Sequence, residues 1–269
     1  MQTMSNLVKI LLFGRKLITA ETLRWLVANP CVEVLGVVTD SHLEGSPTTR
    51  AAVQLGIKVI EYEAAKEQLV TGVLAPDLGV SILYWRKFSG SMLLPGASRG
   101  MINFHPAPLP AYKGCGGYNF AILDSLEEWA CTAHYCDSSI DTGPIIDVHT
   151  FPICRQTTTA QSLEQLTLRY MKTQITEVLQ RAIMSSRILP TTPNIGGRYI
   201  SRQEMEASKE VKAGDDVERK ARAFFFPPYE GAWKITNGIR CTLVTKTILE
   251  QLTPPGTTHI FTSHPEVLD

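Results

Sequence analysis

Asn103 and His105 stand two residues apart in INFHPAPLPAYKG, residues 102–114, at the end of an apolar run. Side chains two apart on a strand point to the same face, so both can reach one atom. An amide N–H and a protonated imidazole N–H are two donors. Two donors aimed at one oxygen form a site for developing negative charge. Prolines at 106, 108 and 110 follow at once and limit backbone freedom, which suits a preorganised site. From this spacing alone a structural role is at least as good a reading, with Asn103 capping a turn and His105 satisfied in place. Asp141 shifts the balance. It lies in SSIDTGPII, in a loop entering a strand. A carboxylate beside His105 would favour the imidazolium. It would also take a proton from an attacking amine, directly or through water. The three together are suited to acyl transfer. Asp-Thr-Gly by itself is a weak signal, since it is also a plain turn and occurs in aspartic proteases. The α/β pattern below fits no such protease.

The elements that must position these groups follow from periodicity. Val8–Phe13 is a compact apolar run ended by Gly14, and reads as a buried parallel strand. Thr19 is a candidate helix cap, with Leu23, Leu26 and Val27 at helical spacing behind it. Val32–Val38 is a second strand, ended by Thr39 and Asp40. Helix at Ala51–Leu55, a short third strand at Lys58–Ile60, helix around Ala64–Leu74 and a fourth strand at Leu78–Leu83 follow. Strands alternating with helices indicate a Rossmann-like α/β fold, a mostly parallel sheet flanked by helices. The carboxyl ends of such strands are where ligands bind.

Beyond Met101–Phe104 a short helix at Tyr118–Leu123 precedes a strand at Cys131–Cys136. There Thr132, His134 and Cys136 face one way and Cys131, Ala133 and Tyr135 the other. Ile145–Phe151 is another strand, and Ala160–Met184 is the longest helical pattern. Arg187–Gly197 (RILPTTPNIGG) reads as a linker, which divides the chain into a catalytic domain, 1–189, and a small C-terminal region, 190–269. In that region Asp215–Phe226 begins as a helix, and Asn237-Gly238 marks a β-hairpin.

Composition narrows the function classes. Of 269 residues 44% are hydrophobic and 19% charged, an ordinary globular balance. Lys+Arg and Asp+Glu are both 26, with none of the basic excess that nucleic-acid binding usually needs. Six cysteines without a CxxC pair argue against a metal site and for reduced thiols, several on buried strands. GRKLIT after the first strand is no GxGxxG loop, so nothing argues for NAD or FAD. MQTMSNLVKI runs straight into a strand pattern, and no apolar run approaches a membrane span. The expectation is a cytoplasmic protein with no membrane association.

INFHPAPLPAYKG followed by TAHYCDSSIDTGPII closely resembles the formyltransferases that use N10-formyltetrahydrofolate, over about residues 8–185. That family includes glycinamide ribonucleotide transformylase, methionyl-tRNA formyltransferase and the sugar N-formyltransferases. The resemblance implies that Asn103, His105 and Asp141 match its catalytic triad. It implies that SILYWRKF, residues 81–88, lies where the family holds the pterin of the formyl donor. Leu83, Tyr84, Trp85, Arg86 and Phe88, with Ser138 and Ile140, are then the donor-binding candidates, with no metal. For Leu83, Trp85 and Phe88 ordinary core packing is an equal alternative.

The tRNA enzymes resemble HPSLLPKYRGAAPIQ at the first motif, whereas this chain has HPAPLPAYKGCGGYNFAI. Lys113 stands where those enzymes commonly have Arg, so a bidentate anion contact does not carry over. RAFFFPPYEGAWKI in the C-terminal region resembles the sugar N-formyltransferases. The implied acceptor is the amine of a nucleotide-linked amino sugar, in a setting such as lipopolysaccharide O-antigen biosynthesis. Methionyl-tRNA or glycinamide ribonucleotide is the alternative. Lys87, Lys113, Gly114, Gly116 and Tyr229 are the acceptor-binding candidates. Arg86 and Lys87 either meet a pyrophosphate or form a solvated rim. Phe224–Phe226 are expected to fasten the C-terminal region to the core. The hairpin around Asn237-Gly238 is available to a homodimer.

Overall fold

A computed structural model describes residues 7–39, 43 and 45–252. Strand β1 (Val8–Gly14) is buried at every position except Lys9, as a strand covered on both faces must be. It leads into helix α1 (Lys16–Val27), whose N-cap is Arg15, not Thr19. Thr19 lies inside the first turn, and its hydroxyl donates to the Arg15 carbonyl at 2.7 Å. β2 (Val32–Val38), α2 (Pro47–Gln54), α3 (Tyr62–Val70) and β3 (Leu78–Ile82) follow. Lys58–Ile60, expected as a strand, contributes a single parallel bridge from Val59 to Val37. Three residues beside an edge strand pair too briefly to form a ladder. The strand-ending Asp40 lies outside the described residues.

The remaining elements are β4 (Met101–His105), β5 (Tyr112–Gly114), α4 (Gly117–Leu123), β6 (Glu128–Tyr135), β7 (Ile145–Pro152), α5 (Ala160–Met184), β8 (Arg198–Ile200), α6 (Arg202–Ala207), α7 (Val217–Phe224), the hairpin β9 (Trp233–Thr236) and β10 (Ile239–Thr242), and α8 (Lys246–Leu252). The main sheet has six strands in the order β2-β1-β3-β4-β6-β7. The first four are parallel, and β6 and β7 run antiparallel. The chain leaves β1 toward β2 on one side and returns as β3 on the other. The carboxyl ends of β1 and β3 are therefore a topological switch point, where an open α/β sheet offers a crevice.

Apolar layers cover both faces of this sheet. On one, Ile10, Leu12, Val80, Ile102 and Phe104 pack against α1, α2 and the buried stripe of α5. On the other, Leu11, Phe13, Phe88 and Met101 pack with Ala65 of α3. Helix α5 starts with a reciprocal capping box between Thr159 and Ser162. The C-terminal part docks through Ala223, Phe224 and Ala232 against Ile122 and Ala160. Phe224 is thus the fastening residue expected of that aromatic run.

The segment after α5 does not leave the domain. Thr192 and Ile145 exchange backbone hydrogen bonds at 2.8 and 2.9 Å. Strand β8 then pairs in parallel with β5, the last three residues of the first motif. The Pro/Gly stretch read as a linker is a strap that runs from Tyr135, past the start of β7, to β5.

Candidate active site

β4 and β6 are antiparallel neighbours in a register that places Asn103 opposite His134 and His105 opposite Thr132. Directly opposed side chains lie on the same face and touch. Asn103 Nδ2 is 3.0 Å from His134 Nε2. His134 Nδ1 is 2.8 Å from the Tyr135 carbonyl, which can only accept, so Nδ1 carries the proton. His134 Nε2 is then an acceptor, and it fixes one N–H of the Asn103 amide. The second N–H is left for the cavity.

His105 is oriented in the same way. Its Nε2 donates to the Tyr112 carbonyl at 2.8 Å. Nδ1 is left as the nitrogen available for chemistry. It lies 3.5 Å from Asp141 Oδ2, beyond an ordinary N–H···O bond but close enough for strong attraction. Asp141 Oδ1 is 3.6 Å from His134 Nε2, and Oδ2 accepts the Gly114 N–H at 2.9 Å. Asp141 adopts φ 55°, a left-handed conformation unusual for a residue with a side chain. Burial acts to raise its carboxyl pKa. The charge of His105, with the Gly114 N–H, outweighs that and holds it well below the usual carboxylate range.

These groups form one end of a cavity of about 480 Å³ at the β1/β3 switch point. Asn103, His105 and Asp141 all line it, together with His134 and Gly114. One wall is the segment after β3, from Leu83 to Phe88, and Ile140 also reaches the cavity. In that wall Tyr84 stacks on Phe88 at 5.4 Å, and Phe13 meets Phe88 edge-on at 5.1 Å. Phe88 is therefore both core and wall, while Trp85 is 42% exposed. Arg86 lies over the Tyr62 ring at 4.6 Å.

Other sequence candidates fall elsewhere. Lys113 is buried, and its Nζ donates to the Gly196 carbonyl at 2.7 Å, tying β5 to the strap. Lys113, Gly116, Ser138 and Tyr229 are not among the lining residues. Tyr229 is 70% exposed. Gly114 does line the cavity, at φ 85°, where an added Cβ would collide with the Ile200 carbonyl.

Several lining residues carried no separate signal in the sequence. His134 sat on the predicted face of a strand, but nothing local named its partner. Arg15 comes from the turn after β1, and Tyr199 on β8 and Arg202 at the start of α6 follow the strap. Among the described residues no group of three His, Cys, Asp or Glu side chains is arranged to hold a metal. All six cysteines are free thiols, and only Cys131 is fully buried. No described helix is long and apolar enough to cross a membrane.

Paired donors beside a buried, ionised carboxylate, set in a switch-point cavity, define a site for group transfer at a carbonyl carbon. The chain belongs to the formyl transferase family, which it matches over residues 10–179. It is 30% identical over 158 residues to methionyl-tRNA formyltransferase of Roseiflexus sp. (strain RS-1), covering 54% of this chain and 48% of that protein. The matched stretch spans about half the length of such curated relatives. A longer match, 26% over 262 residues, covers 92% of this chain and 80% of the methionyl-tRNA formyltransferase of Latilactobacillus sakei. Among solved structures it resembles an N-formyltransferase from Helicobacter canadensis in complex with folinic acid and dTDP-3-aminofucose. The TM-score is 0.71 at 25% identity, covering 86% of this chain and 85% of that one. It shares the fold of a 4-N formyltransferase from Francisella tularensis, with TM-score 0.72 at 19% identity and 88% and 96% coverage. The resemblance read from the two motifs is borne out, as is the fold class.

Proposed function

We propose that this protein transfers a formyl group from N10-formyltetrahydrofolate to the amine of a nucleotide-linked amino sugar. The observation that carries the reading is the convergence of Asn103, His105 and Asp141, with His134 behind them, at one end of the cavity. The formyl donor supplies a carbonyl carbon already activated for attack. Leu83, Tyr84, Trp85, Arg86 and Phe88 hold it, with Ile140 and the nearby Ser138 at the far side of the catalytic end. The aromatic wall suits a flat heterocycle.

The free N–H of Asn103 and the Nδ1–H of His105 donate to the formyl oxygen as it gains negative charge. His105 acts as the imidazolium, with Nε2–H spent on Tyr112. Asp141, ionised and close to Nδ1, stabilises that charge and accepts the proton of the attacking amine directly or through water. The C–N10 bond then breaks, the proton taken from the amine passes to N10, and tetrahydrofolate leaves as its N10 amine.

The sugar acceptor is supported by the Helicobacter canadensis protein, whose complex holds dTDP-3-aminofucose over a comparable length of chain. Cations at the cavity suit a diphosphate: Arg15, Lys87 and Arg202 all line it. Residues 1–189 act as the catalytic domain, and 190–269 as a C-terminal region whose first stretch returns to the site. A cytoplasmic homodimer joined through the C-terminal hairpin, serving O-antigen assembly, is the accompanying expectation.

A second acceptor class, methionyl-tRNA, is favoured by the curated relatives. Against it stands the chain's formal charge of zero. Mass spectrometry of formylated products across a panel of nucleotide-linked amino sugars, glycinamide ribonucleotide and methionyl-tRNA decides between them. Formylation of a sugar nucleotide alone is expected. A product only on tRNA, with affinity falling steeply with salt, overturns the sugar reading.

A further inference from the structure

We propose that Asn194, on the strap after α5, is a positioning residue for the Asp141 carboxylate. Its Nδ2 donates to two carbonyls of one tight turn, Asp141 O at 3.0 Å and Gly143 O at 2.8 Å. A primary amide has two hydrogens on nitrogen, so both are spent on this turn. The turn needs holding. Asp141 is in the left-handed region, which a residue with a Cβ occupies only when its surroundings impose it. Gly143 is pressed so closely on the Tyr135 carbonyl that an added Cβ would overlap it. On its other flank Asp137 accepts from the Thr142 hydroxyl at 2.6 Å and from the Ser139 N–H at 3.0 Å. Among the described residues the side chain of Asp141 is reached by Gly114, His105 and His134. The backbone that aims it is therefore set by Asn194 from one side and Asp137 from the other.

Asn194 is in turn anchored. Thr192, two residues earlier, bridges to Ile145 at the end of the same loop. Gly196, two residues later, accepts from Lys113. The strap thus clamps the Asp141 turn to β5, whose Gly114 holds the carboxylate. Asn194 touches no reacting atom, and it acts through the direction of the Asp141 Cα–Cβ bond. The inference rests on Asp141 being the proton acceptor of the proposed transfer.

The test uses Asn194→Leu, Asn194→Asp and Asn194→Gln in the full chain. Leu and Asp match the volume but offer no donor, whereas Gln keeps the amide on a longer stem. Two readouts are taken. The first is kcat and KM with the acceptor identified above. The expected result is a loss of roughly a hundredfold in kcat for Leu and Asp, as for an Å-scale misplacement, with KM for the formyl donor within about threefold. Gln is expected to recover part of the loss. The second is the ¹⁵N chemical shift of the His105 ring in the substrate-free protein, which reports the carboxylate beside Nδ1. It moves in Leu and Asp as it does in Asp141→Asn, and less in Gln. Ring shifts superimposing on wild type in Leu and Asp overturn the proposal, as does a Gln variant no better than Leu. The ring readout needs no acceptor, so it separates failure here from failure of the sugar reading. If Leu does not fold, the isosteric Asp variant decides.

Discussion

The backbone N–H of Gly114 donates to Oδ2 of Asp141 at 2.9 Å. The two residues come from different motifs, Gly114 closing the first on β5 and Asp141 lying within the second. That bond brings the carboxylate to His105 and joins the two motifs into one constellation. It also supplies part of the stabilisation that keeps Asp141 charged in a buried position.

Asn103→Ala, His105→Ala and Asp141→Ala should each lower turnover by about 10²–10³-fold, the usual cost of removing a group that meets developing charge. Each variant should remain folded by circular dichroism. Steady-state rates near wild type in any two would reject the mechanism.

Acid stability should depend on Asp141 with a definite sign. Its native pKa lies below the unfolded one, so its contribution is fully present above the ordinary Asp value of about 3.9. The contribution is lost as pH falls below that value toward the native pKa. Denaturant unfolding of wild type and Asp141→Asn should show a constant stability difference between about pH 5 and 7. Below about pH 4 wild type should lose stability more steeply than the variant. Parallel curves would remove the ion-pair account.

His134 works through Asn103. His134→Ala releases the amide that Nε2 fixes, and kcat should fall about tenfold or more with donor KM little changed. His134→Gln keeps a side-chain acceptor within reach and should recover part of the rate. A change confined to melting temperature in both variants would make His134 structural only.

Trp85 offers a direct view of donor binding. It is partly exposed on the cavity wall, in contact with Tyr84 at 4.7 Å. Folate binding should quench its fluorescence, and Trp85→Ala should raise donor KM by roughly tenfold while leaving acceptor KM alone. An unchanged donor KM would move the pterin away from this wall.

Much of the fold was legible because its signals are local. Val8–Phe13 is apolar but for Lys9 and Leu78–Leu83 but for Gly79 and Ser81, and α5 carries its stripe from Ala160 to Met184. Lys58–Ile60 misled because β-branched residues favour strand wherever they fall, while a ladder needs a partner long enough to pair. Thr19 misled for a related reason. A hydroxyl before an apolar stripe looks like a cap, and the helix began one turn earlier. RILPTTPNIGG has the composition of a linker, and composition says nothing of where a segment docks.

The sequence by itself determined which groups are brought to the proposed chemistry. Asn103 and His105 share a face because strand side chains alternate, and that period belongs to the chain alone. Only the tertiary structure decided what surrounds them. His134 faces Asn103 because β6 pairs with β4 in one register. Asp141 meets His105 because β5 and the strap hold its turn. Lys113 was withdrawn from the cavity because Gly196 lies within its reach. Each of these is a contact between residues far apart in the chain. Such contacts are set by how the whole sheet closes, and no local period encodes them.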